Sequence, residues 1–145
     1  MVFVKDKPFD FHGATFTIKV LTSETNGSYT ILDVIHPPNV GPALHLHPKG
    51  SETFYIIEGH YEFILNGKSI NGKSGDIIFV PKGTPHRFVV GQNGGHALVI
   101  SPPELEFYFL KVSELFGKGE VSYITESNIG ERYGQVFLDS TKHWK

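Results

Sequence analysis

The amino-acid sequence predicts an all-β barrel or sandwich. The chain of 145 residues contains 16 glycines and nine prolines, many of them placed between short runs of valine, isoleucine, phenylalanine and tyrosine. This composition is typical of short strands joined by tight turns. The length suits one domain with an adequate core. We therefore interpret residues 1–145 as a single domain, with the barrel over about 10–101 and a helical extension over about 102–145.

Alternating apolar residues and β-branched or aromatic runs predict the strands. The predicted strands are Ala14–Leu21, Tyr29–His36, Ala43–His47, Glu52–Glu58, Tyr61–Leu65, Lys68–Asn71, Asp76–Val80, His86–Val90 and Ala97–Ser101. The predicted turns between them are Asn26-Gly27, Pro37-Pro38, Glu58-Gly59, Asn66-Gly67, Asn71-Gly72 and Asn93-Gly94-Gly95. Asn66-Gly67 is the strongest hairpin signal, because a type I′ turn needs positive φ at both central residues.

After the barrel the apolar period changes from two to about 3.6, which predicts a helix. Its apolar stripe consists of Leu105, Tyr108, Phe109, Val112, Leu115 and Phe116. Ser101 and Glu104 predict a capping box, and Gly117 predicts the end of this helix. A second helix is predicted over Glu126–Tyr133, with Thr125 as its cap and Gly134 as its terminator. The aromatic face of the first helix must be buried, either against the sheet or as a lid over an open barrel end.

Composition excludes several classes of function. The 13 basic residues are scattered and outnumbered by 15 acidic ones, which gives no reason to expect nucleic acid as a partner. The chain has no cysteine, so disulfides, zinc-thiolate sites and a cysteine nucleophile are ruled out. The amino terminus carries charges where a signal peptide would be apolar, and no stretch has the length of a membrane span. We expect a cytoplasmic protein whose partner is a small-molecule substrate.

Three imidazoles and one carboxylate form a candidate metal site. His45 and His47 are one residue apart, so both rings project from the same face of an extended strand. The segment 81–85 contains two prolines and a glycine, which break the sheet just before His86 and aim that ring. Together with Glu52, these side chains suit one divalent ion among Fe, Mn, Co, Ni, Cu and Zn, with positions left for substrate. The alternative is that they are surface or core residues.

The first part of this site resembles a motif of the cupin superfamily. That motif runs Gly, five residues, His-x-His, three or four residues, Glu, six residues, Gly. His45, His47, Glu52 and Gly59 fit its spacing. Gly41 departs from it, because it lies three residues before the first histidine instead of five.

The second cupin motif runs Gly, five residues, Pro-x-Gly, two residues, His, three residues, Asn. Gly75, Pro81, Gly83 and His86 match it, whereas Val90 stands where Asn is expected. The resemblance implies a double-stranded β-helix, the cupin jelly-roll barrel, with the four ligand positions filled by the family's own residue types.

The carboxyl-terminal segments also resemble a known group. Residues 101–109 and Arg132–Leu138 are similar to the extension of small single-domain cupins of the quercetin-dioxygenase-like group. That resemblance implies a homodimer paired through sheet edges, to which Val2–Val4 can add a strand.

Three residues are candidates for the substrate pocket. Phe88 and Val90 share the parity of His86 on one predicted strand, so both should point inward. Tyr55 is the third candidate. The remaining histidines, His12, His36, His60, His96 and His143, lack ligand spacing and are interpreted as surface or hydrogen-bonded residues.

Three functions fit this site. In the quercetinase-like interpretation, a dioxygenase acts on an enolisable or aromatic compound, and Glu52 alternates between metal ligand and proton acceptor. The second is a metal-dependent isomerase or epimerase, for which Lys49, Lys82 and Arg87 would attract a sugar phosphate. The third is a small-molecule-binding module without catalysis.

Overall fold

The computed structural model describes residues 5–138, which form one antiparallel sheet with two helices inserted before its last strand. The strands are β1 (Phe9–Phe11), β2 (Ala14–Val20), β3 (Thr30–His36), β4 (His45–Leu46), β5 (Glu52–Leu65), β6 (Lys68–Lys73), β7 (Ile77–Val80), β8 (His86–Ser101) and β9 (Val136–Phe137). The helices are α1 (Leu105–Phe116) and α2 (Tyr123–Tyr133), and a short 3₁₀ helix spans Thr22–Thr25. The predicted edge strand Val2–Val4 and His143 lie outside the described residues.

Two long strands organise the sheet. β8 pairs with β3, β4 and β5, and β5 in turn pairs with β6 and β7, all in antiparallel register. The path continues outward from β3 to β2 and β1, and from β4 to β9. The sheet curls around an apolar interior, which confirms the predicted all-β barrel with carboxyl-terminal helices.

The predicted breaks at Glu58-Gly59 and Asn93-Gly94-Gly95 are wrong, because β5 and β8 run through them. The pairing of these two strands shifts register on either side of Gly59. Gly59 has φ 93°, and a Cβ there would lie 2.3 Å from the carbonyl oxygen of Gly94. The glycines therefore let two long strands bend and approach each other, as β-bulges do. Asn71-Gly72 likewise lies inside β6, whereas Asn66-Gly67 turns as predicted, with φ 49° and 82°.

The shortest strands were the hardest to predict. The strand expected over Ala43–His47 is only His45–Leu46, and neither β1 nor β9 was predicted. Both unpredicted strands have only two or three residues and are defined by their partners, since Phe9 pairs with Phe16 and Val136 pairs with Leu46.

The first helix has the predicted end but a different beginning. The predicted capping box is wrong: Glu104 precedes α1 with φ 73° and makes no side-chain cap. Its N–H instead donates to Thr22 Oγ1 at 2.8 Å. Ser101 is drawn away from the helix because its hydroxyl donates to Glu52.

The second helix begins three residues before its predicted start. Ser122, not Thr125, is the cap, and its Oγ accepts a hydrogen bond from the N–H of Thr125. Gly134 ends the helix as predicted, with φ 94° in the left-handed region that glycine adopts without strain.

Helix α1 packs on the barrel through its aromatic face. Phe109 contacts Phe16 and Phe11, with ring centroids 4.5 and 4.9 Å apart. Tyr108 is fully buried and donates to Glu126 Oε2 of α2 at 2.5 Å, while His12 Nε2 lies 2.8 Å from Glu126 Oε1. This buried carboxylate ties both helices to the turn between β1 and β2. Within residues 5–138, neither helix is long and apolar enough to cross a bilayer.

Candidate metal centre

Four side chains from three parts of the sheet meet inside the barrel. His45, His47, Glu52 and His86 are all buried, and one potential ligand atom from each lies within 4.8 Å of the others. His45 and His86 are register partners in β4 and β8, so strand pairing places these two rings side by side. Glu52 begins β5, and its backbone pairs with Val80 in β7. The structure thus brings together the four residues that the sequence predicts as ligands.

Each histidine is oriented by a backbone carbonyl. Nδ1 of His45 lies 2.7 Å from the oxygen of Ala43, and Nδ1 of His86 lies 2.8 Å from that of Thr84. Nδ1 of His47 lies 3.2 Å from the oxygen of Gly134. Because a carbonyl oxygen only accepts, each Nδ1 must carry the proton in these bonds. In a neutral ring the lone pair is then on Nε2, as in histidines that bind metals.

The carboxylate lies between two of these rings. Glu52 Oε1 is 3.3 Å from Nε2 of both His47 and His86. Its other oxygen accepts a hydrogen bond from Ser101 Oγ at 3.2 Å. Despite its proximity to Glu52, Nε2 of His47 is buried without a properly aligned hydrogen-bond partner among the described residues. A buried nitrogen left in this way fits a cation as its missing partner.

The pKa shifts follow from burial and mutual charge. Burial and repulsion from His86 and His47 lower the pKa of His45 well below its usual value, so this ring is neutral near pH 7. Burial alone would raise the pKa of Glu52, but His47 and His86 outweigh it, so the pKa is lowered and the group is a carboxylate.

His47 shows the opposite balance. Burial lowers its pKa, but the negative charge of the nearby Glu52 outweighs burial, and the net pKa is raised. A proton and a metal ion therefore compete for Nε2 of His47. Three imidazoles and one carboxylate form a donor set suited to a first-row divalent transition metal.

A cavity of about 40 Å³, measured as the space open to the centres of water molecules, borders this cluster. Its walls are mostly apolar, and its polar lining comes from a few side chains. The lining residues are Phe16, Leu32, Val34, His36, Pro42, His45, Glu52, Phe54, Phe88, Val99, Ser101, Phe109 and Gln135. No lysine or arginine is among them.

The three predicted pocket residues have different positions. Phe88 lies in the cavity wall, as expected from its parity with His86. Val90 is buried on the same face of β8 but does not line the cavity. Tyr55 must be removed from the predicted pocket, because it is 43% exposed on the outer face of β5. Its neighbours Phe54 and Ile56 take the inward positions, since side chains alternate along a strand.

Sequence reasoning missed Ser101, Gln135 and His36 as residues of the cavity. The local sequence predicts Ser101 as a helix cap, and nothing in the local sequence around Gln135 indicates the site. The position of His36 in the cavity could have been predicted from the alternation of side chains along β3, because His36 lies on the same inward face as Leu32 and Val34.

The basic residues and the other histidines lie apart from the cluster. Lys49 pairs with Glu104 at 2.7 Å and does not line the cavity. His36 bonds to the Tyr61 hydroxyl at 2.7 Å, and His96 pairs with Asp33 at 3.0 Å. These histidines are hydrogen-bonded, as predicted, and His60 is exposed.

Comparison with known proteins identifies a domain within the chain. Residues 32–101, which include the whole cluster, match the model of the cupin domain. An uncharacterized protein of Methanocaldococcus jannaschii is 33% identical over 58 residues, which are 40% of this chain. The match covers 46% of that relative, so the chain spans about half of its length.

Two solved structures share the fold. KdgF from Halomonas sp. has a TM-score of 0.59 at 19% identity, covering 70% of this chain and 90% of that structure. The polyketide cyclase RemF from Streptomyces resistomycificus has a TM-score of 0.56 at 24% identity, covering 70% of this chain and 79% of that structure. The motif spacing, the antiparallel barrel and the domain match agree that residues 32–101 form a cupin domain.

Proposed function

We propose that this cupin is a metal-dependent enzyme of the dioxygenase type, acting on a small enolisable or aromatic compound. The observation that carries the proposal is the buried cluster of three histidines and one glutamate at the edge of an apolar cavity. The proposal depends on both the cluster and the cavity, because a metal site that only stabilises the fold does not require space for another molecule beside it.

Nε2 of His45, His47 and His86, with the carboxylate of Glu52 as a fourth ligand, would hold the ion. The bound metal would supply Lewis-acid polarisation of a substrate oxygen. The carbonyls of Ala43, Thr84 and Gly134 keep the three rings in the productive tautomer.

Glu52 is the group best placed to accept a proton from the substrate. It lines the cavity, and its lowered pKa keeps it ionised. Ser101 holds one carboxylate oxygen, which leaves the other directed toward the histidines. An enol or phenol hydroxyl entering the cavity would therefore meet a carboxylate that is already deprotonated.

The cavity walls favour this substrate class over a sugar phosphate. Phosphate recognition depends on cationic side chains, and no lysine or arginine lines the cavity. The aromatic side chains of Phe16, Phe54, Phe88 and Phe109 in the cavity wall instead suit an apolar body. The polyketide cyclase RemF is similar in fold alone, so the substrate class is inferred from this cavity.

The experiment starts with protein purified without added metal, whose metal content is measured by elemental analysis. An oxygen electrode then screens small β-diketones and flavonols with the native metal. We expect O₂ uptake in step with loss of the compound, and no uptake by His47→Ala. Turnover unchanged under strict anaerobiosis would favour an isomerase. Lack of turnover with Fe, Ni, Co, Mn or Zn would favour a binding module.

A further inference from the structure

Gln135 is a buried polar residue in the wall of the cavity beside the metal cluster. It follows Gly134 at the end of α2, and its backbone N–H donates to the oxygen of Gly130 at 2.7 Å. The residue is 3% exposed, and it lines the cavity together with His45, Glu52 and Ser101. A long polar side chain is thus held inside the barrel beside the metal cluster.

Strand pairing determines how near Gln135 lies to the cluster. Val136 and Phe137 pair with Leu46 and His45, so the antiparallel register brings the preceding residue level with His47. Adjacent strands are about 4.8 Å apart, which puts Gln135 next to a ligand of the cluster. The hydrogen bond between His47 Nδ1 and the oxygen of Gly134 also holds the residue directly before Gln135 against the cluster.

Among residues 5–138, the hydrogen bond found for Gln135 is that of its backbone N–H, and its side-chain amide bonds to no protein group. Nearby Glu52 and Ser101 already bond to each other. An amide offers two donors and one acceptor. Because Gln135 lines the cavity, these groups are available to water or a ligand there.

We propose that Gln135 positions the substrate by hydrogen-bonding a second substrate oxygen, close to the oxygen held at the metal centre. This inference rests on the proposed function and narrows its substrate class. Oxygens on adjacent or next-adjacent carbons fit two groups that lie side by side in a small cavity. Small β-diketones and α-hydroxyketones have this spacing, and their short carbon bodies suit the small apolar cavity.

The test measures binding, independently of turnover. Wild-type protein and Gln135→Leu are loaded with Co²⁺, and the visible Co²⁺ spectrum is titrated with acetylacetone, acetone and azide. Gln92→Leu is the matched control, because Gln92 is exposed in β8 and does not line the cavity. Azide reports access to the metal without needing a second oxygen contact.

We expect Gln135→Leu to bind acetylacetone roughly 10-fold to 100-fold more weakly, the usual range for a lost hydrogen bond to a charged or polarised acceptor. Azide and acetone affinities should change by no more than about 2-fold, because neither relies on this bond. Gln92→Leu should behave as wild type with all three probes.

Two results would overturn the assignment. One is an unchanged acetylacetone affinity in Gln135→Leu. The other is equal loss of acetylacetone and azide binding, which would indicate a structural role. Wild-type protein that binds acetylacetone through Gln135 but consumes no O₂ would refute the dioxygenase proposal alone. O₂ consumption with the same KM in Gln135→Leu would refute the Gln135 assignment alone.

Discussion

Nδ1 of His47 lies 3.2 Å from the carbonyl oxygen of Gly134, 87 residues further along the chain. A histidine of the metal cluster is therefore oriented by the residue that ends the last helix. The strand that follows, β9, pairs with β4 and carries Gln135 to the cavity. The carboxyl-terminal extension is part of the site, and its conformation should influence metal binding.

Removing His47 should empty or badly weaken the metal site. His47→Ala deletes one of three imidazoles, whereas His96→Ala deletes a histidine that pairs with Asp33 outside the cavity. Metal content per chain, measured by elemental analysis after identical purification, should fall only in His47→Ala. Equal loss in both variants would overturn the ligand assignment.

Gly134→Ala should weaken metal binding without removing any ligand. The residue has φ 94°, and the new Cβ would lie 3.2 Å from Lys49 Cδ. Twisting this residue displaces the carbonyl that orients His47, and loss of such support typically costs 10-fold to 100-fold in metal affinity, so we expect roughly 10-fold.

Gly75→Ala is the control for backbone strain. It has a similar φ of 91°, and no atom lies within 4 Å of the added Cβ. Both variants should lose about 1 kcal/mol of stability, because an L residue is strained at positive φ. Competition titration with a chelator should show reduced metal affinity in Gly134→Ala alone. Identical affinities in the two variants would argue against support of the site by the extension.

Tyr108→Phe should destabilise the fold by about 1.5–3 kcal/mol, the cost of removing a hydrogen bond to a charged group. The lost hydroxyl donates to Glu126, a carboxylate with no exposed surface that joins the two helices. Urea unfolding should show a lower midpoint with an unchanged m-value. Tyr55→Phe, on the exposed outer face, should change stability by less than about 0.5 kcal/mol. Similar midpoints for the two variants would contradict the buried role of Glu126.

His36 should make the protein less stable in acid. Burial lowers its pKa from 6.5 to about 3, so below pH 6.5 the unfolded chain binds a proton that the folded chain does not. Above pH 6.5 the neutral His36 ring does not reduce the free energy of unfolding. As the pH falls from 6.5 toward 3, proton binding by the unfolded chain reduces that free energy progressively. At pH 5 the loss is about 2 kcal/mol, from 1.4 kcal/mol per pH unit.

His36→Gln removes this titration and retains a polar group beside Tyr61. Free energies of unfolding measured at pH 7 and pH 5 should therefore differ less in the variant than in wild type, by about 2 kcal/mol. Parallel pH dependence in the two proteins would show that His36 does not titrate as its burial requires.

The sequence was most informative where chemistry follows from local spacing. His45 and His47 share a face because side chains along an extended chain have a period of two. The prolines and the glycine before His86 break the sheet whatever the rest of the chain packs against them. The helix end at Gly134 is also local, since a glycine with positive φ terminates a helix by itself.

Residues whose roles depend on distant partners were not predictable. Gly59 permits either a turn or a bulge, and only its pairing with β8 selects the bulge. Ser101 can cap a helix or bind Glu52, which lies 49 positions earlier, and the structure shows the second. Gln135 reaches the cavity only because β9 pairs with β4, and two-residue strands leave no periodic signal.

The most direct test of the central claim is an anomalous diffraction experiment at the absorption edge of the metal found by elemental analysis. We expect one anomalous peak per chain, enclosed by Nε2 of His45, His47 and His86 and the carboxylate of Glu52. A metal-containing protein whose peak lies elsewhere, with these four side chains apart from it, would contradict the account.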